Sequence, residues 1–112
     1  IFQSLANAAY PHLAQFGGRH LSNLACAYAL VGVVPKFDDG STLFHHLGER
    51  SIHMLDTFNP QGLSNIVSAF AKAEVSHALF FEAVADHIVS LEHLKSFKSQ
   101  NLSNVLWAFA KA

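Results

Sequence analysis

Phe58-Asn59-Pro60-Gln61-Gly62-Leu63-Ser64-Asn65-Ile66-Val67-Ser68-Ala69-Phe70-Ala71-Lys72 decides the fold, because the chain carries this stretch three times. Upstream stands Phe16-Gly17-Gly18-Arg19-His20-Leu21-Ser22-Asn23-Leu24-Ala25-Cys26-Ala27-Tyr28-Ala29-Leu30. Downstream stands Phe97-Lys98-Ser99-Gln100-Asn101-Leu102-Ser103-Asn104-Val105-Leu106-Trp107-Ala108-Phe109-Ala110-Lys111. All three align without gaps on F-x4-L-S-N-x3-A-[YF]-A. The copies begin at Phe16, Phe58 and Phe97, 42 and then 39 residues apart. Periods of this size belong to helix-pair solenoids, whereas a propeller blade needs a strand alternation that is missing here.

A second element repeats between the copies. Ile1-Phe2-Gln3-Ser4-Leu5 leads to Phe16 in 15 residues, and Leu43-Phe44-His45-His46-Leu47 leads to Phe58 in the same number. The third such element starts at Phe80-Phe81 and reaches Phe97 in 17. The longer first period therefore places an insertion in the loop from Gly32 to Gly40. The expected fold is all-α, a right-handed α-solenoid fragment of about six helices stacked as antiparallel pairs. Its expected divisions are an outer helix of a partial unit at 1–15, a repeat at 16–57, a repeat at 58–96 and the first helix of another at 97–112. The chain starts at Ile1 and stops at Ala112 within a helical run, which reads as a segment of a longer array.

At 100° per residue, Leu63, Ile66, Val67 and Phe70 fall on one side of the first helix type. Leu21, Leu24, Ala25 and Tyr28 do the same, as do Leu102, Val105, Leu106 and Phe109; this is the expected core stripe. Ala69, Ala71 and Ala73 flank it and allow close helix approach. Asn59 before Pro60 is an N-cap followed by proline at the first helical position. In the second helix type Leu43, Phe44, Leu47, Met54 and Leu55 form the apolar side, with His45, Glu49, His53 and Asp56 opposite. Pro11 is expected to kink or weaken the first outer helix.

The side of the first helix type opposite the core carries Arg19, Asn23, Cys26 and Leu30, then Gln61, Asn65, Ser68 and Lys72, then Gln100, Asn104, Trp107 and Lys111. Stacked repeats turn these into rows. Asparagine is a poor residue for a helix interior, yet it recurs in all three copies well past the helix start, where capping cannot explain it. Two readings stand: the Leu-Ser-Asn element locks stacking register across repeats, or it lines a concave surface. Trp107 beside Asn104 and Lys111 combines a ring for stacking, an amide for a base edge and an ammonium for phosphate. Its alternative is packing on a following helix.

The 112 residues are 51% hydrophobic and 13% charged, which excludes a disordered tail. Seven Lys and Arg against eight Asp and Glu give a formal charge of −1, so composition marks neither a basic nucleic-acid module nor an acidic tail. The near-neutral charge counts against RNA, because phosphate neutralisation normally supplies much of the affinity. Cys26 is the only cysteine, which rules out an internal disulfide framework and a cysteine-rich zinc site. The longest apolar run, Leu24 to Val34, spans 11 residues against the roughly 20 of a membrane helix.

Eight histidines invite a search for metal chemistry. His45, Glu49 and His53 share one helical side at i, i+4 and i+8, but no H-E-x-x-H occurs and a solvated helix side explains them; no metal site is expected. His46, His77, His87 and His93 show no second ligand pattern, and His12 and His20 stand near helix ends. No G-x-S-x-G and no G-x4-G-K-[ST] is present, and Cys26 has no histidine at helical spacing, so no enzyme activity and no cofactor are expected.

The element from Asn59 to Ala73, and still more Gln100 to Lys111 with Trp-Ala-Phe-Ala-Lys after Leu-Ser-Asn, resembles the first helix of octotricopeptide repeats. Similar repeats occur in FAST-kinase-like and RAP-domain proteins of algae and apicomplexans. The resemblance spans the chain as about two and a half units. It implies organellar RNA-binding factors acting in a chloroplast or mitochondrion on transcript stability, processing, splicing or translation. The family's recurrent tryptophan is replaced here by Cys26 and Ser68, and no RAP domain is present, so no nuclease-like activity carries over.

The expected function is single-stranded RNA binding along the row of Arg19, Asn23, Cys26, Gln61, Asn65, Ser68, Lys72, Gln100, Asn104, Trp107 and Lys111. The expected partners are that RNA, further repeats of the same chain and protein partners, with no membrane. The alternatives are a protein-binding scaffold of the armadillo or tetratricopeptide kind, and a structural spacer within a larger protein.

Overall fold

The computed structural model describes residues 1–90, apart from the Ser90 side chain, and 97–111. Among these residues are six α-helices: α1 (Phe2–Ala9), α2 (Gly18–Val31), α3 (Leu43–Ile52), α4 (Pro60–Lys72), α5 (Ala78–Ser90) and α6 (Ser99–Lys111). The described chain is all-α; its only β pairing is a single bridge between Lys36 and Thr42. The Leu-Ser-Asn copies occupy α2, α4 and α6. These pack side by side as an inner layer, α2 on α4 and α4 on α6, while α3 packs on α5 in the outer layer. The end of the repeat expected at 58–96, and with it His93, lies outside the described residues.

The expected stripe makes the core. Leu21, Ala25 and Tyr28 of α2, Leu63, Ile66, Val67 and Phe70 of α4, and Val105 and Ala108 of α6 are buried. They meet Leu43, Phe44 and Leu47 of α3 and Phe80, Phe81, Val84 and Ile88 of α5. Phe70 is the hub: its ring stands edge-on to Phe44 at 5.2 Å and stacks on Phe80 at 4.5 Å. Ala69 and Ala71 are buried beside it, where a larger side chain would push neighbouring helices apart.

Two core expectations need correction. Leu106 is 70% exposed, although its counterpart Val67 is fully buried. The reason is position in the stack: α4 has an inner-layer neighbour on each side, and α6 has α4 alone among the described helices. The outer helix containing Leu47 does not run on through Met54 and Leu55 either. It ends at Ile52, His53 caps it, and Leu55–Thr57 form a 3₁₀ turn. Leu24, Leu102, Met54 and Leu55 are only partly buried against the core.

Local chemistry explains the boundaries. Pro11 lacks an N–H, and there α1 gives way to a 3₁₀ segment over Tyr10–Gln15. Asn59 Oδ1 accepts the Gly62 N–H at 2.7 Å and Thr42 Oγ1 accepts the His45 N–H at 3.1 Å, capping α4 and α3. Gly18 sits where a Cβ would lie 2.8 Å from the Phe58 ring and 2.9 Å from its Cα, so Gly17-Gly18 is a close approach between repeats as well as a helix break. Gly32 ends α2 at φ +72°, and Glu74 holds the equivalent place after α4 at φ +58°. The longer first loop is fastened by Phe37, whose ring lies 4.3 Å from Tyr10 and 5.6 Å from His46.

Candidate nucleic-acid interface

The inner layer is defined by what it lacks. Helices α2, α4 and α6 contain Arg19, Lys72 and Lys111 and no Asp or Glu. Among the described residues the acidic ones stand in the outer helices, the loops or the turns between them, at 38, 39, 49, 56, 74, 82 and 86. A net charge of −1 thus hides a layer that is purely cationic. This answers the objection from composition locally, since short-range charge governs contact with a polyanion.

Two depressions mark the exposed side of that layer. The larger, about 810 Å³, runs across all three helices and is lined by Cys26, Asn65, Ser68, Lys72, Asn104 and Trp107 among others. The smaller, about 260 Å³, lies between α2 and α4 and takes in Arg19, Asn23, Gln61 and Asn65. Asn65 lines both, so the two adjoin along the row. Nine of the eleven expected residues therefore line the depressions. Lys111 Nζ stands 6.0 Å from the Trp107 ring centre, at the outer limit of a cation–π contact, and lines a separate hollow with Glu74. Gln100 lies on the same helix, bonded to Asn104. Trp107 is 47% exposed on the groove wall.

The Leu-Ser-Asn element divides its labour by position. Leucine enters the core at Leu21 and Leu63. Ser22 Oγ donates to the Gly62 carbonyl at 3.1 Å, across 40 residues, and holds α2 against α4. Ser64, its counterpart, is fully buried with no hydrogen-bond partner among the described residues. Cys26 Sγ donates to the Asn65 carbonyl at 3.6 Å. Burial pushes the Cys26 thiol up, against smaller lowering effects from Ser22 and Lys72, so it faces the groove as a protonated donor.

The asparagines are oriented by glutamines one turn earlier. Gln61 Nε2 donates to Asn65 Oδ1 at 2.9 Å and Gln100 Nε2 to Asn104 Oδ1 at 3.1 Å. Arg19 replaces the glutamine in the first copy, and Asn23 is exposed. Asn101, buried at the first turn of α6, joins this set: its Oδ1 accepts the Lys98 N–H at 3.1 Å and its Nδ2 donates to Gln61 Oε1 at 3.1 Å. Sequence spacing missed Asn101, although its place three residues after Lys98 is the capping-box position.

The histidine cluster differs from its expectation. His45 and Glu49 are joined by His77, their ligand atoms lying within 4.8 Å of one another, and not by His53, which is the C-cap of α3. His77 comes from the start of α5, where its Nδ1 accepts the Phe80 N–H at 3.2 Å. A neutral ring accepting at Nδ1 carries its proton on Nε2. Nε2 is buried and lies 3.4 Å from Glu49 Oε1, yet it makes no hydrogen bond among the described residues. The ring is a helix cap that lies beside a carboxylate, stacked on His45 at 5.2 Å and seated against Gly48, where a Cβ would lie 2.7 Å from Nε2.

Against this geometry, a family model described as RNA-editing substrate-binding complex 6 protein matches residues 1–112. No curated protein and no solved structure matches the chain.

Proposed function

The chain belongs to the RNA-editing substrate-binding complex 6 protein family, and from that premise we propose that it binds single-stranded RNA along the exposed side of α2, α4 and α6. The family makes it an RNA-associated helical protein, and its name describes a member of a complex, so both RNA and protein partners follow at that level. The observation that carries the finer reading is the acid-free layer. Lys72 and a half-exposed Trp107 line the main groove with the Asn65 and Asn104 amides, Arg19 lines the depression that adjoins it, and Lys111 stands beside Trp107 on the same helix. Cations neutralise phosphate, the ring offers a base platform and the amides meet base edges.

In this reading the chain is a binding element that works without catalysis, metal or cofactor. RNA-editing complexes are typically mitochondrial, which favours the mitochondrion over the chloroplast for this chain. The Leu-Ser-Asn and Trp-Ala-Phe-Ala-Lys elements keep their resemblance to octotricopeptide repeats, which supports RNA as the ligand without specifying the transcript step.

Salt tests the proposal. If Arg19, Lys72 and Lys111 each meet one phosphate, log Kd against log salt has a slope of magnitude about 2, so a fourfold rise in salt weakens binding about 20-fold. Lys72→Ala with Lys111→Ala should cut the slope to about 0.7. A flat salt response, or an equal loss when outer-helix residues such as His45 or Leu79 are replaced, overturns it.

A further inference from the structure

We infer that the groove selects keto-bearing bases over amino-bearing ones, through an amide relay that makes Asn65 a hydrogen-bond donor; this rests on the RNA reading above. The relay begins at a group whose polarity is not in question. The Lys98 backbone N–H can only donate, so the Asn101 atom it meets at 3.1 Å is Oδ1. Asn101 then has only its Nδ2 to offer Gln61, at 3.1 Å, and the Gln61 atom that receives it is Oε1. Gln61 in turn presents Nε2 to Asn65, at 2.9 Å, which accepts at Oδ1. With Oδ1 turned to Gln61, the end of the amide that Asn65 leaves wholly unpaired is Nδ2, with two N–H groups and no partner among the described residues, at the point shared by both depressions.

The rest of the groove repeats that polarity. Lys72 is donor-only, Asn104 is held by Gln100 in the same sense at 3.1 Å, and the Cys26 thiol is already committed to the Asn65 carbonyl. Ser68 is the one hydroxyl lining the groove and can turn to donate or accept, while the asparagines have their Oδ1 atoms turned to the glutamines. A base turned to such a surface is matched by a carbonyl oxygen and mismatched by an exocyclic amine, which finds another donor in front of it. Uracil presents a carbonyl where cytosine presents an amine, and hypoxanthine does so where adenine presents an amine. Asn101 touches no ligand in this scheme; it is a positioning residue acting through Gln61.

Reversal of the relay is the test. Asn101→Asp still accepts the Lys98 N–H but must now receive a donor from Gln61. Gln61 therefore turns, Asn65 turns after it, and Asn65 Oδ1 faces the groove. Gln61→Glu forces the same reversal from an exposed position that the fold tolerates. Gln61→Ala releases Asn65 to rotate.

The full chain is titrated with labelled oligomers of about eight nucleotides, uridine against cytidine and inosine-substituted against adenosine-substituted. One matched hydrogen bond predicts a keto preference of about 5-fold for the unaltered chain. The preference should reverse in Asn101→Asp and Gln61→Glu and shrink toward unity in Gln61→Ala. Added charge lowers all affinities together and leaves the ratio as the readout. Salt-dependent binding with a ratio near one, or a ratio indifferent to Gln61→Glu, overturns the inference and spares the RNA reading. Absence of salt-dependent binding to any of the four oligomers overturns both.

Discussion

Glu74 and Gly32 occupy the same place in two copies, and exchanging their chemistry should move stability in opposite directions. Both residues follow an inner helix and both lie in the left-handed region, at φ +58° and +72°. A residue with a Cβ loses roughly 1–2 kcal/mol there, while glycine gives back about 0.4–1 kcal/mol through the freedom of its unfolded chain. A Cβ at Gly32 would meet nothing within 4 Å, so Gly32→Ala isolates the backbone cost, and a net loss of about 1 kcal/mol is expected. Glu74→Gly should gain about the same amount. Glu74 also lines a hollow with Lys111, so its charge must be separated from its backbone. Glu74→Gln removes the charge and keeps the Cβ, and should recover little. Urea unfolding followed by helical circular dichroism reads this directly. With a slope of about 1.5 kcal/mol per molar, the midpoints of Glu74→Gly and Gly32→Ala should move up and down by about 0.7 M. A neutral or destabilised Glu74→Gly at unchanged slope, or an equal gain from Glu74→Gln, refutes the backbone argument.

Ser22→Ala removes a hydroxyl bonded to the Gly62 carbonyl and should cost about 1 kcal/mol, whereas Ser64→Ala removes an unpartnered one and should be neutral or stabilising; the same urea titration compares them, and equal losses would contradict the asymmetry. Burial raises the Cys26 thiol, so at neutral pH the reactive thiolate is scarcer than in a free cysteine. Alkylation followed by mass spectrometry should therefore be slow and should accelerate at higher pH than in the unfolded chain. Because Cys26 lines the groove, saturating single-stranded RNA should slow it further, and a rate unmoved by bound RNA would place the strand elsewhere.

Much of the candidate site was legible in the sequence because it is written at helical spacing. Asn65, Ser68 and Lys72 share one side of a single helix, and the 42- and 39-residue periods carry that side to Cys26 and Trp107. The partition of charge was legible as well, since no acid occurs in any copy of the inner helix. What spacing could not reach were groups from different copies. Asn101 and Gln61 are 40 residues apart and meet only because α4 and α6 lie at one rotation and one axial offset.

The sequence by itself determined the helices, their repeat, the core stripe and the cationic inner layer, because these follow from local periodicity and from which residue types each helix carries. The tertiary structure alone decided that Leu106 is exposed while Val67 is buried, that His77 rather than His53 completes the group with His45 and Glu49, and that Ser22 is bonded while Ser64 is not. It also decided which end of the Asn65 amide faces the groove. The physical reason is common to all four: a helix's own period says which side a residue takes, and only the placement of a neighbouring helix says what it meets there.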